Sequence, residues 1–524
     1  MTPELQTIAA PLSDALRRAG YTTAGIAEFL GDDSWRALRR GEPGTVTFAL
    51  EQAPQTDLAL LIRLFLLHEP VAAQQFETIV GSSLYLELIQ AEVISRSAAN
   101  DVDEVRAGID LQPHVITGTE HIVFSDRDAS MLYDHVPSPD HVLGVGAASM
   151  SLLNATPTSA VGSVLDLGTG SGVQALSQVS CAHQVVATDV HQRALFFAAA
   201  TFQAANAAVE ILHGPWFSPV AGRQFDRIVA NPPFVVGPPE VSHVYRDSGL
   251  DLDGATRKVA SESVNHLNPG GTAHLLGSWV HLTDQPWQAR VASWLPDTGV
   301  SAWVLQRDVV DVAHYVGTWL KDESIDPRSA TGKQKTIAWL QHFHQAKVRA
   351  VGFGFIAIKR IADDLPSEIV VEEIPQSIDT HFGAEVEEYF TRMHWLGQKT
   401  PEEILSSQFL LRPGVAKEVV SVADVDNQVG FVSVAYRLTR TNGLRWSHEV
   451  DEHVAAIVGG LHPQGLSLEE TLEFYALAHD LNADNLQQGF VPIIIDLIRH
   501  GLVLPAELVA AVATDAHSSE SVTE

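Results

Sequence analysis

Three glycines at alternate positions, Gly168, Gly170 and Gly172, follow directly on an apolar run at 161–167 and precede a segment that turns helical near Val173. A run of that length reads as a short buried strand, and a glycine-rich turn from strand into helix opens a βαβ unit. The pattern then repeats. Strands are expected near 163–167, 184–189, 209–213, 225–230, 271–279, 301–308 and 350–359, with helices near 173–181, 191–207, 254–266 and 284–295. Such regular alternation predicts an α/β fold, a mainly parallel sheet covered on both faces. Ligands of open α/β sheets bind at the carboxyl ends of the strands.

The glycine loop can approach a ligand closely and adopt positive φ, which suits a nucleotide-like cofactor. By itself it does not say which one, because NAD-binding chains use a similar turn. Asp166 stands two residues before Gly168. A carboxylate there would repel a pyrophosphate but could receive the ammonium end of the methionine in S-adenosylmethionine (SAM). The strand at 184–189 ends in Asp189, placed to accept two ribose hydroxyls, and this second acid suits SAM and NAD equally. The strand at 225–230 is stopped by Asn231, Pro232, Pro233 and Phe234. An amide or aromatic amine is a poor nucleophile because its lone pair is delocalised. The Asn231 side-chain oxygen and the Pro232 carbonyl can each accept an N–H from such a group and aim its lone pair, while Phe234 stacks on the planar group.

Together the two motifs resemble those of class I SAM-dependent methyltransferases of the Asn-Pro-Pro-(Tyr/Phe) group. That group includes adenine and guanine exocyclic-amine methyltransferases and release-factor glutamine methyltransferases. The resemblance covers roughly residues 140–360. It implies a Rossmann-like seven-stranded sheet whose last two strands form an antiparallel edge pair. It also implies that Asp166, Gly168, Thr169, Gly170 and Gly172 line the methionine and ribose side of SAM, that Asp189 meets the ribose hydroxyls, and that Asn231, Pro232, Pro233 and Phe234 meet the target amine. Residues 140–146 are expected to pass beneath the methionine. Many relatives carry an acid after the third strand to meet the adenine amine, whereas this chain has Trp216, which can stack on adenine or serve as core. The segments 235–240 and 246–254, including Glu240 and Arg246, look like those that follow the tetrad in glutamine methyltransferases. Residues 309–349 form an insertion beside the site, of the kind that often chooses substrates.

With 524 residues the chain is long enough for about three domains. We expect a helical, winged-helix-like region over 1–135, the methyltransferase domain over 136–361, an α+β region over 362–513 and a disordered tail over 514–524. The lone cysteine, Cys181, excludes a disulfide framework and a cysteine zinc site and fits a reducing cytoplasm. The 23 histidines show no ligand spacing; His342 and His344 read as a solvated helix face, and no metal is expected. No signal peptide or membrane-length apolar run is seen.

A formal charge of −31 opposes a broad grip on nucleic acid. Local basic clusters persist at Arg17, Arg18, Arg36, Arg39 and Arg40, and at Lys333, Lys335, Lys347 and Arg349. The expectation is a SAM-dependent N-methyltransferase acting on a planar amine of a macromolecule. The first reading of that amine is an exocyclic base amine in RNA or DNA, on the Phe-type tetrad, the winged-helix-like regions and the arginines, with a protein glutamine as the alternative. A glutamine side chain in a translation protein is favoured by the acidic charge and the residues after the tetrad. A non-catalytic SAM-binding scaffold is the third reading.

Overall fold

The computed structural model describes residues 4–99, 102–128, 131–132, 138–239, 247–323, 325–378 and 381–509. Glu240, Arg246 and the tail over 514–524 lie outside the described residues. The chain divides into two compact units, one of Met1–Leu153 with Thr158–Glu373 and one of Asn154–Pro157 with Ile374–Glu524.

The first unit is built on eight strands: β1 (Val161–Leu167), β2 (Ala182–Asp189), β3 (Glu210–His213), β4 (Phe225–Ala230), β5 (Leu267–Leu282), β6 (Val300–Asp311), β7 (Val348–Arg360) and β8 (Glu368–Glu373). Their spatial order is β8-β6-β7-β5-β4-β1-β2-β3. The seven expected strands are all present, with β7 antiparallel to both β5 and β6. An eighth, β8, pairs parallel to β6 and extends the sheet with a segment expected to belong to the carboxyl-terminal region.

The helices that follow β1 are, among the described residues, α1 (Val173–Gln178), α2 (Gln192–Ala204), α3 (Gly254–Ser263), α4 (Trp287–Ala292), α5 (Val312–Asp322) and α6 (Ala330–Gln345). Strand side chains alternate between faces. In β2, Val185 and Ala187 pack with Val173, Leu176 and Phe202 of α1 and α2. Val186 faces the other way, into a core with Val259 of α3 and Trp287 of α4. The sheet is therefore covered on both sides.

Register fixes where the motifs emerge. Leu167 of β1 lies opposite Thr188 of β2 on one side and Ala230 of β4 on the other. The glycine loop, Asp189 and Asn231 thus leave the sheet at one level of its carboxyl edge.

Among the described residues, six helices run from Glu4–Arg18 to Ser82–Gln90, and strands including the hairpin Asp110–Ile116 and Thr119–Ser125 follow them. Leu5, Ile8, Leu12 and Leu16 share a core with Phe197 and Ala200 of α2. The amino-terminal region is thereby packed on a helix of the central fold.

The second unit contains the helices Gly383–Gly397, Glu452–Gly459, Leu468–Ala478 and Ala483–Arg499. Its sheet of Val415–Ala423, Phe431–Arg440 and Ser447–Val450 is antiparallel throughout.

Candidate functional site

The glycine loop is shaped by its backbone. Gly168 and Gly170 take φ of 76° and 55°, and Gly172, at the amino end of α1, takes 90°. A Cβ on Gly172 would lie 2.8 Å from Phe202 Cε1, so both conformation and space require glycine there. Gly168 N and Thr169 N each donate to Thr188 O at 2.9 Å, tying the loop to β2.

Two carboxylates brace it. Asp166 Oδ2 accepts from Thr169 Oγ1 at 2.7 Å and from Ala175 N at 2.9 Å. Its Oδ1 is buried without a hydrogen-bond partner. Burial pushes the Asp166 carboxyl up to about 7, against the opposing effect of those two hydrogen bonds. Asp189 Oδ2 accepts from Gly170 N at 3.0 Å and its Oδ1 from His191 N at 2.8 Å. Burial raises this acid too, in opposition to its backbone donors.

The raised Asp166 makes a pH prediction. Its folded-state value lies above the ordinary carboxyl value of 3.8, so the native state holds the proton more tightly than the unfolded chain. The stability it contributes is fully present below about pH 4 and is lost as pH rises through about 7. Denaturation midpoints of the parent chain relative to Asp166→Asn are expected to fall across that window; a flat difference would refute the burial argument.

A cavity of about 490 Å³ lies at this edge of the sheet, within the size range of small-molecule sites. Gly168, Thr169, Gly170, Asp189, Trp216, Asn231, Pro232 and Pro233 line it. Asp166, Gly172 and Phe234 are not among the lining residues. Asp166, only 1% exposed, supports the loop from behind instead of presenting a carboxylate to the cavity, and Gly172 is spent on the contact with Phe202. Trp216 lines the cavity, takes a positive φ of 49° and packs against the core beneath.

The loop at 140–146 borders the cavity, with Asp140, His141, Gly144 and Gly146 on its wall. Asp126 holds it there: Val142 N donates to Asp126 Oδ2 at 2.9 Å, and Asp126 N donates to Val142 O at 3.0 Å. Arg193 of α2 donates to the same carboxylate. Sequence reasoning missed Ser149, Gln174, His191, Asp247 and Ser248 as lining residues. For Gln174 a signal existed, a polar residue in the first turn of a wholly buried helix. Its Nε2 donates to Ser149 O at 2.8 Å, which fixes the amide orientation and leaves Oε1 buried without a partner.

The tetrad is held from both ends. Asn231 follows the last residue of β4, and its Oδ1 is buried without a hydrogen-bond partner. Downstream, Ser278 Oγ of β5 donates to Phe234 O, and Val236 N donates to Tyr315 OH at 2.6 Å. Tyr315 belongs to α5, in the insertion, and is 1% exposed in a core with Val235, Val236, Trp339 and Phe343. The insertion therefore clamps the exit of the tetrad. Tyr315→Phe strands a buried N–H, a loss of about 1–3 kcal/mol. We expect turnover to drop about tenfold with cofactor affinity unchanged. Equal losses in both quantities would make Tyr315 a purely structural residue.

Among the described residues, no group of three or more His, Cys, Asp or Glu side chains is placed to hold a metal ion. His342 Nε2 lies 2.9 Å from Asp251 Oδ1. No helix among the described residues is long and apolar enough to cross a membrane. Among the described residues, five of the nine clustered cations are ion-paired. Arg17, Arg36 and Arg40 meet Asp14, Asp33 and Glu42, while Lys335 and Lys347 meet Glu323 and Asp284.

The methyltransferase small-domain family matches residues 143–276. Domain families of unknown function, DUF7059 and DUF7782, match residues 18–108 and 387–505. The release factor glutamine methyltransferase of Bordetella pertussis is 30% identical over 199 residues, covering 35% of this chain and 69% of the relative. That of Gloeobacter violaceus is 34% identical over 122 residues, 21% of this chain and 43% of the relative. The ribosomal RNA small subunit methyltransferase C of Haemophilus influenzae is 31% identical over 129 residues, 24% and 36% of the two chains. The chain thus spans between 36% and 69% of the length of these three relatives. A Thermus thermophilus 16S rRNA N2 methyltransferase in complex with AdoMet and guanosine superposes with a TM-score of 0.27 at 19% identity, over 41% of this chain and 56% of that one. A methyltransferase from Thiobacillus denitrificans in complex with S-adenosyl-L-homocysteine gives 0.23 at 17% identity, over 41% and 92%.

Proposed function

This chain belongs to the methyltransferase small-domain family, and on that premise we propose that it is a SAM-dependent N-methyltransferase acting on a planar amide or amine of a macromolecule. The cavity fits the cofactor. Its volume, its left-handed glycines and the Asp189 carboxylate at its wall suit an adenosine bearing a charged tail. When bound, SAM supplies an electrophilic methyl group.

The observation that carries the reading is the Asn231 side-chain oxygen, an acceptor buried without a partner in a residue that lines the cavity. A buried acceptor left unmade costs about 1–3 kcal/mol, and an N–H of the target group relieves that cost. Asn231 and the Pro232 carbonyl orient the nitrogen so that its lone pair points along the line of transfer. No general base is required, because the cationic product loses its proton after transfer.

Of the two substrate classes, a glutamine side chain is the better supported. The charge of −31 and the pairing of five of the nine clustered cations with neighbouring acids disfavour a phosphate backbone. The base-amine reading keeps the Phe-type tetrad and the ribosomal RNA relative in its favour. Purified protein incubated with methyl-labelled SAM and a lysate from a strain lacking the gene decides between them. Label released only by protease supports the glutamine reading, and label released by nuclease supports the base amine. Bound SAM with no transfer leaves the scaffold reading.

A further inference from the structure

Between Arg445 and Arg499 the chain carries nine Asp and Glu residues and no lysine or arginine. The helix Leu468–Ala478 lies within this stretch. It buries Leu468, Leu472 and Ala476 and turns the rest of its surface outward. On the outward side Phe474 is 62% exposed and Leu477, one turn on, is 82% exposed. The helix ends with Asp480 in a left-handed conformation, and Leu481 N donates back to Ala476 O at 2.9 Å. That closure folds Leu481, 41% exposed, back over the last turn. Exposed leucines scattered singly need no explanation, but three large apolar side chains on one helix end form a ridge.

Its borders are acidic. Glu469 and Glu473 flank it on the helix, and Asp480 on the turn. Tyr475 stacks on His479 at 4.2 Å and meets His453 Nδ1 at 2.9 Å, which brings in the start of the helix Glu452–Gly459. Asp451 and Glu452 act on Tyr475 electrostatically from there.

An apolar ridge bordered by one sign of charge selects its partner. Nucleic acid and anionic lipid are repelled by it. A second copy using the same face would set acid against acid. We propose that this face docks a lysine- and arginine-rich amphipathic segment of another protein. Apolar residues at helical spacing would pack on Phe474, Leu477 and Leu481 while cations meet the surrounding carboxylates.

The test uses the full chain and two fluorescent 18-residue helical peptides of leucine with either lysine or glutamate on the polar face. The lysine peptide is expected to bind, more weakly as salt rises, and the glutamate peptide is not. Phe474→Ser with Leu477→Ser should weaken binding at least about tenfold, and Glu473→Lys alone should weaken it several-fold. Thermal melts verify that each variant is folded. Failure of the lysine peptide to bind overturns the proposal, as does equal binding to parent and Phe474→Ser/Leu477→Ser chains, which would reflect net charge alone. Binding of poly(U) RNA at this face, or a dimer of the parent chain that Phe474→Ser/Leu477→Ser dissolves, overturns it in favour of those occupants.

Discussion

Asn231→Ala is expected to lower turnover by a factor on the order of a hundred or more while SAM still binds. The substitution removes the acceptor proposed to hold the target N–H and leaves untouched the glycine loop and Asp189, the proposed cofactor side of the cavity. Asn231→Asp is the sharper companion. It retains an acceptor oxygen at that position but adds a charge beside the incoming electrophile, so partial activity rather than full rescue is expected. Calorimetric SAM binding measured with single-turnover methyl transfer separates the two effects. If Asn231→Ala transfers at the parent rate with SAM bound, the assignment of the tetrad is wrong.

Glu388→Ala is expected to destabilise the second unit by about 3–5 kcal/mol, the usual cost of stranding a buried charge. Three arginines converge on two glutamates there. Arg392, 0% exposed, and Arg412 both donate to Glu388, while Arg440 donates to Glu385. Further acceptors come from backbone carbonyls: Arg392 donates to Arg499 O at 3.1 Å and Arg412 to Gly501 O at 2.6 Å. Removing Glu388 leaves two guanidiniums in a low-dielectric interior without their carboxylate. Burial raises the Glu388 acid, but Arg392 and Arg412 outweigh it and hold it below its usual range. A depressed acid contributes stability present above its unfolded value, near 4.5, and lost as pH falls through the folded one. Urea denaturation of the parent chain and Glu388→Ala at neutral and acidic pH should show the gap closing on acidification. A gap below about 1 kcal/mol at neutral pH would mean the cluster is solvated.

What was legible in the sequence follows from how local each signal is. The glycine loop and the Asn231 tetrad could be read because each is a short run whose chemistry depends on its own backbone. β8 was not, because Glu368–Glu373 mixes acids with Ile369, Val370 and Val371 and is only partly buried. Nothing local says that such a run finds β6. The buried pairing of Glu385 and Glu388 was not legible either, because the arginines that neutralise them stand at 392, 412 and 440. The insertion read as a segment free to choose substrates, and only its fold shows Tyr315 inside the core that grips the tetrad.

The sequence by itself determined the strand–loop–helix order, the cofactor class and the residue types at the carboxyl end of β4, since these depend on spacing along one segment. The tertiary structure alone decided that Asp166 braces the loop while Asp189 faces the cavity, and that Gln174 and the loop at 140–146 complete the wall. Both outcomes hang on sheet register and on which side chains burial removes from water, and those are set by contacts between residues far apart in the chain.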